Sequence, residues 1–499
     1  MGCPSMTQSQ IDYTDVQGLV RFGYKYMKEA CYVLLRIRDV GAARSWLSAA
    51  PVTTAVAVDP PPATAMQVAF TAAGLKALGV ADAVLSDFSS EFLAGMTEES
   101  RSRRLGDEGN SAPSQWVWGN SGSVPHLVVM FFAEPGRLAG FVATTTGEIW
   151  NDAFDMLRSL DTSDLGGFEP FGFTDGISQP QIDWAQERDV AGGQIYYTNV
   201  AALGEFLLGY RNEYDKYTDR PLIDANTKSA GLLPAEDAPG KKDVGRNGTY
   251  LVMRDLRQDV RSFWQFISRK AGGSAEIDKL AATLVGRTRT GDPLVPIQKE
   301  EIPGIVPQPD QIRQNQFTFD QDPTGAGCPF GAHIRRANPR NADYPGHPTG
   351  LARLLAMAGF GPRGFRDDLM SSVRFHRILR RGREYGPGLS PSDALLPAPP
   401  DDPERGLRFV CLNANISRQF EFLQNAWVMN TKFSGLTGEN DPLLGNRDTT
   451  SGRPGADNFT RQKDDGLGCQ VSGLPQFVTV RGGAYFFLPS LRALRYFTS

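Results

Sequence analysis

Two stretches of the chain repeat one pattern of apolar and polar positions. Residues 32–46 read YVLLRIRDVGAARSW, and residues 250–264 read YLVMRDLRQDVRSFW. Tyr32 aligns with Tyr250, Arg36 with Arg254 and Trp46 with Trp264, with aliphatic residues between them. Each stretch opens on an apolar run short enough for a buried strand, then turns into a polar segment of helical character closed by Trp. The pattern predicts a β–α unit present twice, once near the start of each half, and hence two related α+β domains.

Other segments fit that scheme. Residues 126–133 (HLVVMFFA) and 407–412 (LRFVCL) have the composition of interior strands. In ISRQFEFLQNAW, residues Ile416, Phe420, Leu423 and Trp427 recur at helical spacing, and they are expected in the core rather than against a cofactor. Near the end, FVTVRGGAYFFLPSL reads as two strand runs around Arg481-Gly482-Gly483, a hairpin or a bulge. Residues 103–125, rich in Gly, Ser and Asn, and 387–403, with six prolines, are expected to be loops. The polar, irregular stretch 208–247 is where the domain boundary is expected, giving domains of 11–225 and 226–499.

Composition narrows the class. Of 499 residues, 40% are hydrophobic and 22% charged, which excludes disorder and low complexity. The formal charge of −4 provides no global pull toward nucleic acid. The longest apolar runs, such as Leu127–Ala133, fall far short of the ~18 residues of a spanning helix, so no membrane partner is expected. The start, MGCPSMTQSQ, has no basic stretch leading into an apolar core, so no secretory signal is expected, and a cytoplasmic location is favoured over a secreted one. Gly2 would suit myristoylation, but Met6 stands where that motif needs Ser or Thr. Five scattered cysteines without a CxxC pair argue against a disulfide framework or structural zinc, and Cys31 and Cys411 read as buried thiols in strands. Histidine is scarce: His126, His333, His347 and His376 are the four, so histidine chemistry must choose among them.

Three segments carry chemistry. In Phe171-Gly-Phe-Thr-Asp-Gly-Ile-Ser-Gln-Pro180, Asp175 lies between Gly172 and Gly176 and beside two Phe rings. Glycine permits close backbone approach to a ligand, and apolar surroundings would raise the carboxyl toward a proton shuttle's range. Taken alone, a turn in which Asp175 bonds its own backbone is the simpler reading. In Cys328-Pro-Phe-Gly-Ala-His-Ile-Arg-Arg-Ala-Asn-Pro-Arg340, a histidine precedes three arginines, which suits an anion site or a metal ligand with cations for nearby carboxylates. In Arg374-Phe-His-Arg-Ile-Leu-Arg-Arg-Gly-Arg-Glu-Tyr-Gly386, a basic strand end would by default face solvent, and it lacks the exposed aromatics that stack bases.

In this order, followed by the FVTVRGG run and preceded by Asp15-Val-Gln-Gly18, these segments resemble the dye-decolorising peroxidases, specifically their longer, fungal-type branch. The resemblance covers nearly the whole chain. It implies two ferredoxin-like domains, antiparallel sheets with peripheral helices, enclosing a haem b (heme) cofactor. By position, His333 resembles the proximal ligand of the haem iron, Asp175 the distal carboxylate and Arg380 the distal arginine, with Arg381 pointing elsewhere. Leu407 and Phe409 match positions that wall the distal pocket. Arg340 is similar to an arginine that meets a propionate, and Ile177 and Gln179 belong to a backbone stretch on the haem edge. Asp441, in Gly-Glu-Asn-Asp-Pro-Leu443, occupies the position of a carboxylate partner for His333. The stretch between His333 and Arg380, including Asn341 to Met370, is longer than is usual in the family, which bears on the pocket entrance.

The resemblance implies a peroxidase that reduces hydrogen peroxide to water and oxidises dyes, phenols and other aromatic reductants, the bulky ones at surface Tyr or Trp. A haem carrier or sensor would keep the fold and His333 without needing Asp175 and Arg380. A non-haem metal enzyme would need several close ligands, which four scattered histidines do not offer.

Overall fold

Nine strands build one antiparallel sheet: β1 (Glu29–Ile37), β2 (Thr64–Phe70), β3 (Leu127–Ala133), β4 (Phe154–Asp161), β5 (Thr249–Gln258), β6 (Leu379–Arg380), β7 (Arg383–Tyr385), β8 (Gly406–Asn413) and β9 (Val478–Leu488). The computed structural model describes residues 10–187, 199–297, 312–340, 373–447, 456–462 and 468–499. The strand order is β6-β8-β5-β9-β2-β3-β1-β4, with β7 also on β8. The four strands of the first half therefore lie together, as do the five of the second. They join where β9 meets β2 at the pair Phe487–Phe70. The architecture is α+β, two ferredoxin-like halves sharing one sheet.

The repeated pattern forms the same unit twice. β1 leads into α1 (Val40–Ala49), and β5 leads into α2 (Val260–Lys270). Asp39 and Asp259 cap the two helices, accepting from the N–H groups of Ala42 and Ser262. Tyr32 and Tyr250 are buried in the strands, and Trp46 and Trp264 pack the helices down. Trp264 also works at a distance: its indole N–H donates to the Phe171 carbonyl at 3.1 Å.

Several expectations change in detail. The FVTVRGGAYFFL run is one strand, β9, bulged between Val480 and Gly482, not a hairpin. The indole of Trp118 lies where a Cβ at Gly482 would stand, which explains the glycine. Residues 103–105 close a helix (Glu99–Leu105) before Gly106 stops it in the left-handed region, and 391–394 form one helical turn; the rest of those two stretches is non-repetitive apart from short 3-10 turns. The stretch 208–247 contains a two-strand ladder, Leu222–Asp224 with Lys241–Asp243, that brackets residue 225. Cys31 and Cys411 are buried free thiols within strands, and burial pushes the Cys31 thiol up to about 12. Among the described residues, no helix is long and apolar enough to cross a membrane.

Candidate active site

The loop from Glu169 to Pro180 builds one wall of a cavity of about 290 Å³. Gly172 and Gly176 take φ of +90° and +76°, which side chains rarely adopt, so the chain doubles back around Asp175. The turn is clamped from within by Glu169, whose carboxylate accepts from the N–H groups of Phe171 (3.0 Å) and Phe173 (2.9 Å) and from Gln258 Nε2 (2.8 Å). Phe171 and Phe173 pack on Phe263 of α2, and Phe173 also stacks on Trp264.

Arg380, the last residue of β6, donates through Nη1 to Asp175 Oδ1 at 2.9 Å. Sequence reasoning expected apolar surroundings to raise Asp175, and the structure corrects this. Burial does oppose ionisation, but the Arg380 guanidinium, the Gly176 N–H and the Lys25 ammonium outweigh it, so the carboxyl lies below the usual aspartate range. The raised carboxyl is Glu169, pushed up to about 7 by burial despite its three donors. Arg381 points away from Asp175 and donates to the Leu19 and Val20 carbonyls. Leu407 and Phe409, two residues apart on β8, line the cavity together.

His333 opens a short helix, α3 (His333–Ala337), and also lines the cavity. Its Nδ1 lies 2.8 Å from Oδ2 of the buried Asp441. Asp441 Oδ1 accepts from the N–H groups of Leu443 and Leu444, both at 2.9 Å, which fixes the carboxylate. Burial opposes protonation of the imidazole, yet the facing carboxylate outweighs it and raises the basicity of His333. Arg380, facing the same cavity, pulls the other way. Asp441 itself is held below the aspartate range, against burial, by His333, the Leu444 N–H and Arg336.

A cationic corner completes the site. Arg340, at φ +55° and buried, donates to the Asn315 and Phe317 carbonyls and to Ser178 Oγ. Beside it Arg287 donates to the Gly291 and Gln314 carbonyls and to the same Ser178 Oγ at 3.2 Å. Among the described residues Arg287 has no carboxylate at ion-pair distance. Burial, then the charges of Arg340 and Arg380, push it down to about 9. Two neighbouring buried guanidiniums call for an anionic guest. Ile177 lines this region, and Gln179 lines it while bonding to the backbone of Arg380.

These features fit haem. An imidazole whose Nδ1 is taken by a carboxylate leaves Nε2 free to bind an iron, apolar walls suit a macrocycle, and Arg287 and Arg340 suit two carboxylates. No cluster of His, Cys, Asp and Glu that could hold a bare metal ion occurs among the described residues.

Several lining residues were missed. Phe420, Leu423 and Trp427, expected as core, line the cavity as well, because the helical segment 417–428 turns one face to that space; Ile416 stays in the core. Helical spacing reveals a buried face but not what fills the space opposite. Glu169 stood two residues before Phe171 without being singled out, and Arg287 carries no local signal. His376 also lines the cavity, stacked on Phe422 at 3.6 Å between ring centroids, with Nδ1 against the Arg418 carbonyl. His126 is structural, its Nδ1 accepting from the Ile37 N–H. His347 and the long stretch Asn341–Met370 lie outside the described residues.

No protein-family model matches the chain. A dye-decolorizing peroxidase of Mycetinis scorodonius is 29% identical over 97% of this chain and 87% of its own length. One from Auricularia auricula-judae is 28% identical over 98% and 88%. A multifunctional dye peroxidase of an Amycolatopsis species is 31% identical over 66% of this chain and 61% of its own. Among solved structures, a decolorizing peroxidase from Auricularia auricula-judae superposes with a TM-score of 0.70 at 25% identity, over 98% of this chain and 100% of that one. An ancestral D-type dye-decolorizing peroxidase gives 0.70 at 25% identity, over 98% and 99%.

Proposed function

The chain belongs to the dye-decolorising peroxidases of fungal type and is a haem-dependent peroxidase, and from that premise we propose which of its residues do the work and on what. The cofactor is haem b, held by His333 through the iron, by Arg287 and Arg340 through the propionates, and between walls that include Ile177, Leu407 and Phe409. The substrates are hydrogen peroxide and aromatic reductants, namely dyes and phenols. Bound haem supplies the redox centre that passes electrons from reductant to peroxide.

The observation that carries this reading is that one cavity joins a carboxylate-backed imidazole, His333–Asp441, to an ionised carboxylate–guanidinium pair, Asp175–Arg380. A carrier would need only the first. Asp175, held charged, accepts a proton from peroxide and returns it to the departing oxygen. Arg380 stabilises negative charge developing on the peroxide oxygens through its guanidinium N–H donors. Asp441 fixes the imidazole ring and keeps its Nδ1 protonated, which makes Nε2 a stronger donor. Leu407 and Phe409 restrict water beside Asp175, which strengthens each of these electrostatic interactions.

The test is His333→Ala alongside His126→Ala. The first loses ordered haem binding and its Soret band, and the second keeps both. Normal haem occupancy with an unchanged Soret band in His333→Ala would remove the assignment.

A further inference from the structure

Asp175 has a second cation on its outer side. Lys25 lies on the segment leading into β1, and its ammonium sits against Gly176, where an added Cβ would strike Nζ. Three fastenings hold it there. Arg381 donates from Nε to the Leu19 carbonyl (2.7 Å) and from Nη2 to the Val20 carbonyl (2.9 Å), and Arg383 donates to the Tyr24 carbonyl (2.6 Å). Tyr24, immediately before Lys25, is left-handed at φ +53°, as is Gly23 at φ +65°, which packs on Arg381. The strand end that turns Arg380 inward thus turns Arg381 and Arg383 outward to grip the turn that presents Lys25.

Among the described residues Lys25 makes no hydrogen bond or ion pair of its own. Its charge faces Asp175 and Glu384, with Arg380 and Arg381 opposing it. Around Asp175 the charged groups are Arg380 from β6, Lys25 from the first segment, Glu169 from its own loop and Glu384 from β7. At Asp175 itself burial opposes the charge, and Arg380, the Gly176 N–H and Lys25 favour it. Lys25 is the cation that stands outside the cavity lining.

We propose that Lys25 is a positioning residue for peroxide chemistry, a second cation on the solvent side of Gly176 that keeps the Asp175 carboxylate charged and able to accept a proton in acid. The inference rests on Asp175 being the proton acceptor of the proposed function. In acid Glu169 and Glu384, both raised by burial, take up their protons first, so Arg380 and Lys25 are the charges left beside the Asp175 carboxylate. A charge beside a half-buried carboxylate moves its titration by about 0.5–1 pH unit.

The experiment compares wild type, Lys25→Met and Lys25→Arg in two measurements. Carboxyl carbon NMR follows Asp175, assigned by its loss in Asp175→Asn, in protein loaded with diamagnetic zinc protoporphyrin. Stopped-flow absorbance follows the reaction of the haem enzyme with peroxide against pH. In Lys25→Met the Asp175 titration rises by about half to one pH unit and the acid limb of the peroxide reaction rises with it, while Lys25→Arg restores both. High salt reproduces the shift in wild type and adds little in Lys25→Met. An Asp175 titration unchanged in Lys25→Met overturns the proposal. A titration that moves without the acid limb overturns the acceptor role of Asp175, and with it the purpose assigned to Lys25.

Discussion

Gln179 reaches Arg380 as though it were one more residue of the sheet: its Oε1 accepts from the Arg380 N–H at 3.1 Å, and its Nε2 donates to the Arg380 carbonyl at 3.3 Å. β6 is two residues long and ends at Arg380, so the sheet alone holds this position weakly. The amide of Gln179 ties the arginine to the loop that carries Asp175. It fixes both partners of the distal pair in one frame.

Gln179→Ala therefore leaves the guanidinium in place but loosens its backbone. The rate of reaction with peroxide should fall by roughly 10- to 100-fold, as misplacement by about an ångström does. Stopped-flow absorbance at the Soret band measures it. An unchanged rate would make this bond incidental.

Arg380, at the end of β6, and Arg381, just beyond it, face opposite ways and divide their work. Arg380→Leu should slow the peroxide reaction by about 10²–10³-fold, the usual cost of removing such a donor. Arg381→Leu should cost stability instead, about 1–3 kcal/mol for the two carbonyls left unpaired at Leu19 and Val20, with a much smaller effect on rate. Denaturant unfolding and stopped-flow kinetics on both variants separate these effects. Reversed severities would put the assignment one residue out of register.

Asp441→Asn keeps an oxygen for the Leu443 and Leu444 N–H groups but turns an amide toward His333. The imidazole loses its anionic partner, so the iron reduction potential should rise and haem retention should weaken, by about 10- to 100-fold on the pattern of such partners. Potentiometric titration and transfer of haem to apomyoglobin read the two effects. An unchanged potential would show that the 2.8 Å contact does not tune the ligand.

Glu169 titrates near neutrality, and the sign follows from the direction of its shift. A carboxyl whose folded value, about 7, exceeds its ordinary 4.5 favours the folded state fully below 4.5, and that contribution is lost as pH rises through 7. Wild type should thus lose up to about 3 kcal/mol from this group between pH 4.5 and 8. Glu169→Gln, less stable throughout because one backbone donor loses its acceptor, should show a flatter profile. Parallel profiles of unfolding free energy against pH would contradict the shift.

Much of this arrangement was legible in the chain, for reasons that differ from residue to residue. The twofold β–α unit was visible because burial of Tyr32, Tyr250, Trp46 and Trp264 imposes the same periodicity twice. Gly172 and Gly176 announced a doubled-back loop because few other residues tolerate their φ angles. Asp441 lies 108 positions from His333, so only family resemblance connected them. Arg287 was invisible because its meaning comes from Ser178 and Arg340 beside it, which are distant in sequence. The direction of the Asp175 shift was misjudged for the same reason. The neighbouring Phe rings are local, whereas Arg380 and Lys25 arrive from elsewhere in the fold.

The proton acceptor is the central claim, since His376 also lines the cavity and offers the rival base. The most direct measurement is the rate of the peroxide-induced Soret change against pH in wild type, Asp175→Asn and His376→Gln. With Asp175 below the ordinary aspartate range, the base stays ionised in acid and loses function only as pH falls through that lowered value. The reaction should therefore persist well below pH ~6.5, where an imidazole base would fail. It should collapse at every pH in Asp175→Asn and keep its profile in His376→Gln. A neutral-to-alkaline optimum that vanishes in His376→Gln while Asp175→Asn stays active would contradict the account.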